Sequence, residues 1–292
     1  MSFALSRGEA FAYLGPNGAG KTTTINILCG LLRCDAGEVR ICGLDIDRDP
    51  VAVKGRIGVV PEESNLYPEL SCRRNLEYLG ELYGLDRRAR RARAAELLES
   101  FDLAGRAGAP FRALSRGMKR RLTVAAALIH SPEVVFLDEP TAGLDVPSAR
   151  ALRSLIGVIR RNGTTVFLTT HNMAEAEALC DRVLILVKGR AVAKGTADEI
   201  RQRVERAGTL SVKLSGNVEE ADFLQACPGV RSAVRVEGAW RLEATNAHAA
   251  VAQVIAFAEA RGLEVLEIAT VSPTLEDAFM TIIGDGGREA GA

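Results

Sequence analysis

The residues best suited to chemistry form a glycine-rich run near the start of the sequence. The run fits the phosphate-binding pattern G-x-x-x-x-G-K-[ST] and is extended by one threonine: Gly15, Pro16, Asn17, Gly18, Ala19, Gly20, Lys21, Thr22 and Thr23. Glycines let consecutive backbone N–H groups converge on one anion, and the N-terminus of a following helix adds partial positive charge. A strand-like run precedes the loop and a helix-like run follows it, so a chance match to a glycine-rich turn is disfavoured. The run predicts nucleotide binding, with Lys21 on the β- and γ-phosphates and the Thr22 hydroxyl on Mg²⁺.

A second group of candidate residues follows an apolar segment later in the chain. Val134–Leu137 has the length and composition of a buried strand, and Asp138 and Glu139 come directly after it. The carboxyl end of a parallel strand would place Asp138 beside the phosphate loop and its magnesium. Glu139 would then lie where a water molecule can attack the γ-phosphate, as a general base. Two acids after a strand would by themselves indicate only a solvated turn. In a chain that also carries a phosphate loop, the catalytic interpretation is favoured.

The elements that must position these residues alternate along the first two thirds of the chain. Apolar runs of strand length are separated by segments whose apolar residues recur at helical spacing. Strands that alternate with helices predict a parallel sheet covered on both faces. The predicted strands are Phe11–Leu14, Val39–Ile41, Ile57–Val60, Val134–Leu137, Thr165–Thr169 and Arg182–Val187, and the predicted helices are Lys119–His130, Pro147–Arg161 and Met173–Cys180.

One long segment, Arg73–Leu103, is predicted to be helical and contains five arginines between Asp86 and Arg93. A solvated helix face is the favoured interpretation of this charge run. Contact with anionic lipid near a membrane partner is the weaker alternative.

The pattern changes after about Arg206, where short strand-like runs become more frequent. The predicted order is βαββαβ followed by one more helix, which is typical of a small α+β unit of ferredoxin-like type. We therefore predict a first domain at 1–206, a C-terminal accessory domain at 207–285 and a disordered tail at 286–292. The elements are strands Thr209–Leu214, Val230–Val236, Trp240–Ala244 and Leu263–Thr270, and helices Val218–Ala226, Ala247–Arg261 and Thr274–Ile283.

Composition disfavours several classes of protein. The 292 residues include 37 Lys+Arg and 37 Asp+Glu, so the formal net charge is zero, whereas a sequence-independent nucleic-acid binder needs a basic field. No apolar run approaches the roughly 18 residues that span a bilayer, and Met1–Leu14 lacks the pattern of a signal peptide. The six cysteines form no C-x-x-C pair and have no companion histidines at metal spacing, so reduced cytosolic thiols are expected.

Three further segments resemble motifs of the ATP-binding-cassette (ABC) family. Leu-Ser-Arg-Gly-Met at 114–118 is similar to the family's signature of Leu-Ser-Gly-Gly-Gln type, and its serine lies 23 residues before Asp138, as in that family. Ala-Gly-Leu-Asp at 142–145 resembles the D-loop. His171 lies 32 residues beyond Glu139, at the position of the family's switch histidine.

Within that family the chain is most similar to ATPase subunits of bacterial drug- and antibiotic-type exporters. Those proteins often carry Met-Lys-Arg-Arg-Leu, as at 118–122, and a C-terminal Leu-Glu-Asp-(Ala/Val)-Phe segment, as at 275–279. The resemblance covers nearly the whole chain. It implies an α/β P-loop NTPase of ABC type, with a parallel-sheet core, a β-subdomain and a helical subdomain at about 64–131, beside the small ferredoxin-like domain.

The resemblance also implies ATP and Mg²⁺ as cofactors and a homodimer formed through the nucleotide sites. Ser115 and Gly117 of one protomer would close over the γ-phosphate held by the other, and His171 would link that phosphate to Glu139. The implied catalytic residues are Lys21, Ser115, Gly117, Glu139, Asp145 and His171, and the implied metal ligands are Thr22, Asp138 and Glu62.

The implied function is ATP hydrolysis that powers export of an undetermined substrate through a separate membrane permease. The protein would be cytoplasmic and peripheral on the inner face of the cell membrane, with no nucleic-acid partner. A soluble cassette ATPase of DNA repair or translation is disfavoured by the neutral charge and by the length of the chain. A regulatory or non-transport ABC ATPase with reduced hydrolysis stays an alternative, although Lys21, Asp138, Glu139 and His171 are all retained.

The chain departs from the family pattern at three places. Glu62 stands where the family carries glutamine, and would bring a negative charge towards the γ-phosphate, which predicts slower or more magnesium-dependent hydrolysis. In the signature, Arg116 replaces the first glycine and Met118 replaces the glutamine. Only 14 residues precede Gly15, so the family's N-terminal strand and adenine-stacking loop are expected to be missing, through real loss or through a wrongly assigned start.

Overall fold

The structure is a computed structural model that describes residues 1–204, 208–236, 238–271 and 274–289. Its contacts divide the chain into two compact units, Met1–Lys194 and Gly195–Ala292. In the first unit the strands are β1 (Ala10–Leu14), β2 (Arg40–Ile41), β3 (Leu44–Asp45), β4 (Ile57–Val60), β5 (Val134–Asp138), β6 (Thr165–Thr170), β7 (Arg182–Val187) and β8 (Arg190–Gly195). The helices are α1 (Lys21–Leu28), α2 (Pro50–Lys54), α3 (Cys72–Leu82), α4 (Arg87–Ser100), α5 (Arg116–Ala127), α6 (Val146–Arg161) and α7 (Met173–Leu179).

The predicted parallel sheet is confirmed. Six strands follow the order β4-β5-β6-β1-β7-β8, and the pairs from β4 to β7 are all parallel. These strands are continuous apolar runs because helices cover both faces of the sheet, and Phe11, Tyr13, Phe136 and Phe167 meet in its core. Parallel strands place their carboxyl ends at one edge, so the segments that follow β1, β5 and β6 emerge side by side.

The long helical segment predicted at Arg73–Leu103 is wrong in one respect, because it forms two helices, α3 and α4. Gly84 breaks the run, with a positive φ of 79° that other residues rarely adopt. Asp86 then caps α4, since its side chain accepts hydrogen bonds from the N–H groups of Arg88 and Ala89, both at 2.8 Å. Helices α3, α4 and α5 pack against one another within the predicted helical subdomain, and β2 pairs with β3 in a separate two-stranded sheet.

The second unit contains the predicted βαββαβ order. Its elements are α8 (Ala197–Val204), β9 (Gly208–Leu214), α9 (Glu220–Ala226), β10 (Val230–Val236), β11 (Ala239–Ala244), α10 (Ala247–Ala260), β12 (Val265–Val271) and α11 (Leu275–Glu289). The sheet order is β10-β11-β9-β12, with every pair antiparallel. Its core is built around Leu210, Val212, Phe223, Leu242 and Val254, which are buried together.

Two predicted boundaries of this unit differ from the structure. The unit begins at Gly195 rather than at 207, because α8 packs against α11 and so belongs with the C-terminal elements. Helix α11 continues through 286–289, which were predicted to lie in a disordered tail. The buried residues Leu275, Ala278 and Phe279 anchor the start of this helix. Residues 205–207, at the predicted boundary, and 290–292, at the end of the predicted tail, lie outside the described residues.

Candidate functional site

The predicted phosphate loop, Glu139 of the acidic pair and the switch histidine line one cleft at the carboxyl edge of the sheet, and Asp138 lies beside it against Thr22. The cleft has a volume of about 420 Å³. It is lined by Asn17, Gly18, Gly20, Lys21, Thr22, Thr23, Glu62, Glu139, Ala142 and His171. Residues predicted to act together from sequence are thus neighbours in space, although they come from four separate segments.

The phosphate loop connects the end of β1 to the start of α1. Gly15 directly follows β1 and packs tightly, since a Cβ at this position would lie 2.7 Å from the carbonyl oxygen of Leu186. Ala19 is buried under the loop, and α1 begins at Lys21. The free N–H groups of the first helical turn therefore lie at the cleft, where they can bind an anion.

Lys21 is almost fully buried and is held by its own loop and by Glu139. Its Nζ donates to the carbonyl oxygens of Gly15 at 2.8 Å and Pro16 at 3.4 Å. The same atom lies 3.2 Å from Oε1 of Glu139, in an ion pair whose side chains are 7% and 10% exposed. The cation of the phosphate loop is therefore already paired with the candidate general base.

Asp138 lies at the end of β5 and joins the phosphate loop to the neighbouring strand. Its Oδ2 accepts a hydrogen bond from the Thr22 hydroxyl at 3.0 Å, and its Oδ1 accepts one from the hydroxyl of Thr169 on β6. A hydroxyl and a carboxylate are hard oxygen donors of the kind Mg²⁺ prefers, and Glu62 lines the same cleft. The described residues hold no cluster of three or more His, Cys, Asp or Glu that could bind a metal alone. The site fits an ion that shares its ligands with substrate phosphates.

Glu139 adopts a strained backbone conformation, with a φ of 45°, which costs about 1–3 kcal/mol in a non-glycine residue. Its N–H donates to the carbonyl oxygen of Thr169 at 3.1 Å, which helps to hold this conformation. Its carboxylate lies between two partners, with Oε1 near Lys21 and Oε2 at 2.9 Å from Nδ1 of His171. An ionised carboxylate only accepts hydrogen bonds, so this contact is made by the tautomer of His171 that carries its proton on Nδ1.

The predicted signature residues Ser115 and Gly117, and Asp145 of the D-loop, do not line this cleft, although Ala142 at the start of the D-loop does. Ser115 caps α5, because its hydroxyl accepts a hydrogen bond from the N–H of Met118 at 3.3 Å. Asp145 caps α6 by accepting from the N–H of Ser148 at 2.8 Å, and hydrogen bonds to Ser148 lower the pKa of Asp145. Gly117 packs against Ser148, since a Cβ on Gly117 would lie 2.5 Å from the Ser148 hydroxyl oxygen. The structure brings these residues together with one another, at the starts of two helices.

Three buried residues near the cleft, Thr169, Glu175 and Arg120, were not predicted from the sequence. Thr169 holds Asp138 and Glu139, and Glu175 is only 1% exposed. Arg120 is 8% exposed and donates hydrogen bonds to five backbone carbonyls around the cleft. The signal for Arg120 was present in its spacing, because it lies three residues after Gly117 and four before Val124 on the buried side of α5.

Comparison with known proteins connects this site to relatives. A family profile described as "ABC transporter" matches residues 1–142, and one described as "ATP-binding protein DrrA1-3-like, C-terminal domain" matches residues 195–283. The chain is 41% identical over 298 residues to the daunorubicin resistance ATP-binding protein DrrA3 of Streptomyces coeruleorubidus, covering 99% of this chain and 91% of that protein. It is 37% identical over 292 residues to the linearmycin resistance ATP-binding protein LnrL of Bacillus subtilis (strain 168), covering 97% and 92%.

Solved structures share the fold of the first unit. An ATP-binding subunit of an ABC transporter is 35% identical with a TM-score of 0.63, over 69% of this chain and 84% of that chain. A dimeric ATP-binding cassette in a post-hydrolysis state, bound to ADP and Pi, is 27% identical with a TM-score of 0.61, over 66% and 88%.

The fold and the cleft define a P-loop nucleotide-binding protein of α/β type. The relatives narrow this class to one family, because two of them align with nearly the whole chain. The chain belongs to the ATP-binding subunits of the ABC transporter family. No helix within the described ranges is both long enough and apolar enough to cross a membrane.

Proposed function

We propose that this protein hydrolyses ATP at the cleft and so powers export through a separate membrane permease. The observation that carries the proposal is the convergence of Lys21, Thr22, Asp138, Glu139 and His171 around one cleft. The transport context is supported by the relatives, which are named as drug resistance ATP-binding proteins. The protein would lie in the cytoplasm, on the inner face of the cell membrane.

The phosphate loop and the N-terminus of α1 would bind the β- and γ-phosphates of ATP. The γ-phosphate would compete with Glu139 for the Lys21 ammonium group, because phosphate oxygens carry more negative charge than one carboxylate. Movement of Nζ towards the phosphate would weaken its 3.2 Å pair with Oε1 of Glu139. Oε1 would then be free to accept a proton from the attacking water, while His171 holds Oε2.

Mg²⁺ would be held by the Thr22 hydroxyl and the Asp138 carboxylate, with Glu62 as a further oxygen donor. The Thr22 and Asp138 donor atoms lie 3.0 Å apart, which supports a shared ligand role. When bound, the metal ion neutralises charge on the β- and γ-phosphate oxygens. Thr169 would keep Asp138 oriented through its hydrogen bond to Oδ1.

Homodimerisation would complete the site. Ser115, Gly117 and Asp145 lie at the N-termini of α5 and α6, outside the cleft of their own chain. In a dimer formed through the nucleotide sites, the N-terminus of α5 would offer its partial positive charge to the γ-phosphate bound by the partner. The dimeric post-hydrolysis structure of a related cassette supports this arrangement.

A regulatory or non-transport ABC ATPase with reduced hydrolysis is the second candidate function. One observation favours it: the carboxylate of Glu62 lines the cleft and adds negative charge where ATP would bind. The two candidates differ in one measurable property, since a transport ATPase should be stimulated by its permease in membranes.

The test of the proposed function is ATP hydrolysis by the purified protein and by membranes that contain it with its permease. We expect magnesium-dependent hydrolysis that falls by at least about 100-fold in Glu139→Gln, because loss of the general base removes a contribution of this size. Glu133→Gln is the matched control, since Glu133 forms an exposed pair with Arg56 just before the start of β5. Full activity in Glu139→Gln would contradict the proposal.

A further inference from the structure

Helix α5, which begins at the signature residues, carries the buried residue Arg120, whose side chain reaches the backbone around the nucleotide cleft. Every hydrogen bond of the Arg120 guanidinium goes to a backbone carbonyl oxygen. Nε donates to the carbonyl oxygen of Pro140 at 2.8 Å. Nη1 donates to the carbonyl oxygen of Pro61 and also to that of Glu62, the latter at 3.0 Å. Nη2 donates to the carbonyl oxygens of Asp138 at 2.6 Å and Glu139 at 3.0 Å. One side chain therefore joins two chain segments, 61–62 and 138–140, to α5.

The two segments that Arg120 joins continue from neighbouring strands. Val60 of β4 and Leu137 of β5 are paired at the ends of their strands, so both segments leave the same edge of the sheet. The guanidinium group is a rigid planar fork with five donors, which suits several acceptors in fixed directions. Burial lowers the pKa of Arg120, and the nearby carboxylates of Asp138, Glu175, Glu62 and Glu139 act in the opposite direction.

Each joined segment supplies a side chain to the cleft. The first carries Glu62 and the second carries Glu139, whose positive φ needs support from its surroundings. The carbonyl of Glu139 is one of the Arg120 acceptors, so the strained residue is held on its carbonyl side by α5 and on its amide side by Thr169. The same helix begins at the signature residues, because Ser115 is its N-cap.

We propose that Arg120 is a positioning residue that fixes Glu62 and Glu139 relative to each other and couples the nucleotide cleft to the signature end of α5. This inference rests on the proposed function, because it concerns the same hydrolytic site. Among the described hydrogen bonds of Arg120, none goes to the phosphate loop. Removal of the Arg120 side chain should therefore lower kcat more than it weakens ATP binding.

The test compares Arg120→Met and Arg120→Lys with the wild-type protein in steady-state ATP hydrolysis. We expect kcat to fall by about tenfold or more in Arg120→Met while KM for ATP changes by less than about threefold. Lysine keeps the charge but lacks the planar fork, so Arg120→Lys should recover less than half of the lost turnover. Arg121→Met is the matched control, because Arg121 bonds instead to the Phe101 carbonyl and to Asp102. The control should keep the wild-type kcat and KM.

A second measurement does not depend on hydrolysis. Hydrogen–deuterium exchange should rise in segments 59–64 and 138–142 of both Arg120 variants and stay unchanged in the rest of the chain. Unchanged exchange in both segments would overturn the inference, as would a kcat within twofold of wild type in Arg120→Met. If the wild-type protein hydrolyses no ATP but exchange rises at the two segments, the proposed function fails and the positioning by Arg120 stands. If exchange rose throughout the chain in both Arg120 variants, Arg120 would contribute only to overall stability, and the inference would be overturned.

Discussion

At the scale of single residues, the cleft is organised around the carboxylate of Glu139. One oxygen pairs with Lys21 and the other accepts from His171, so the carboxylate is held on both sides before any nucleotide arrives. Electrostatic preorganisation of this kind lowers the reorganisation needed at the moment of reaction. Two acidic neighbours of this group, Glu62 and Glu175, have environments that lead to separate predictions.

Glu62 is predicted to slow hydrolysis or to raise its need for magnesium. Two unit charges 4 Å apart interact by about 4 kcal/mol at an effective dielectric constant of 20, which is an upper limit for an exposed side chain that a cation can screen. We expect Glu62→Gln to raise kcat about threefold or more, or to lower the magnesium concentration at half-maximal activity. Glu63→Gln is the control, since the exposed Glu63 does not line the cleft. Equal kinetics for the Glu62 variant and wild type would refute the prediction.

Glu175 is predicted to make stability fall as pH rises. Among the described residues, neither of its carboxylate oxygens has a hydrogen-bond partner of good geometry. Burial raises the pKa of Glu175 above its ordinary value of 4.5, nearby Glu139 adds to this, and Thr170, Thr141 and Arg153 oppose it. The folded state therefore binds more protons than the unfolded state above pH 4.5, and stability decreases with pH there.

The corresponding measurement is the free energy of unfolding of Glu175→Gln between pH 4.5 and pH 8. We expect a gain of about 1 kcal/mol or more over wild type at pH 8, because the variant buries no charge. The gain should shrink as pH falls towards 4.5. Glu177→Gln, at an exposed position on the same helix, should show no such trend. A gain independent of pH would contradict this account.

At the scale of elements, the site is made by the ends of strands and the starts of helices. The phosphate loop follows β1, Asp138 ends β5 and His171 follows β6, while Ser115 and Asp145 cap α5 and α6. Strands β1, β4, β5, β6 and β7 were predicted because their apolar runs are bounded by turn residues, whereas β8, whose residues are mostly exposed, was not predicted. The division between α3 and α4 was missed because their apolar spacing is similar and the break depends on one turn, at Gly84.

The contact between α5 and α6 gives a prediction at this scale. Gly117→Ala would place a Cβ 2.5 Å from Oγ and 2.9 Å from Cβ of Ser148, so the two helix starts must move apart. We expect the free energy of unfolding to fall by about 1–3 kcal/mol, as is typical of overpacking. Chemical denaturation of the single and double variants with Ser148→Gly should give a favourable coupling energy.

Gly157→Ala on α6 is the control for this steric argument. Its Cβ would meet only Nη1 of Arg161, at 3.4 Å. Alanine is the better helix former, so the control should be neutral or stabilising by up to about 1 kcal/mol. Additive effects of Gly117→Ala and Ser148→Gly would show that the close contact does not limit stability.

At the scale of the whole molecule, the chain consists of a nucleotide-binding unit and a βαββαβ unit, each with its own core. The residues proposed to meet the partner's nucleotide, Ser115, Gly117 and Asp145, all belong to the first unit. In the proposed dimer each site would depend on the partner, because Ser115 and Gly117 do not line the cleft of their own chain.

The dimer gives a prediction for the intact protein. Glu139→Gln should bind ATP but not hydrolyse it, so the closed dimer should accumulate when ATP and Mg²⁺ are present. Size-exclusion chromatography with light scattering should detect a mass near twice 31.2 kDa with ATP and a monomer without it. Glu133→Gln should remain monomeric once its ATP has been hydrolysed. A monomeric Glu139→Gln that still binds ATP would exclude this mode of dimerisation.

The sequence by itself determined the phosphate loop, the acidic pair and most of the strands and helices around them, but not the break between α3 and α4, nor β8 and α8. These features are local: turn residues, capping residues and the period of apolar positions lie within a few residues of one another. Only the tertiary structure decided which segments meet. Arg120 bonds to Glu62, 58 residues away, and Thr169 bonds to Asp138, 31 residues away. Such contacts depend on the strand order β4-β5-β6-β1, which local patterns do not specify, because the same runs could pair in other orders.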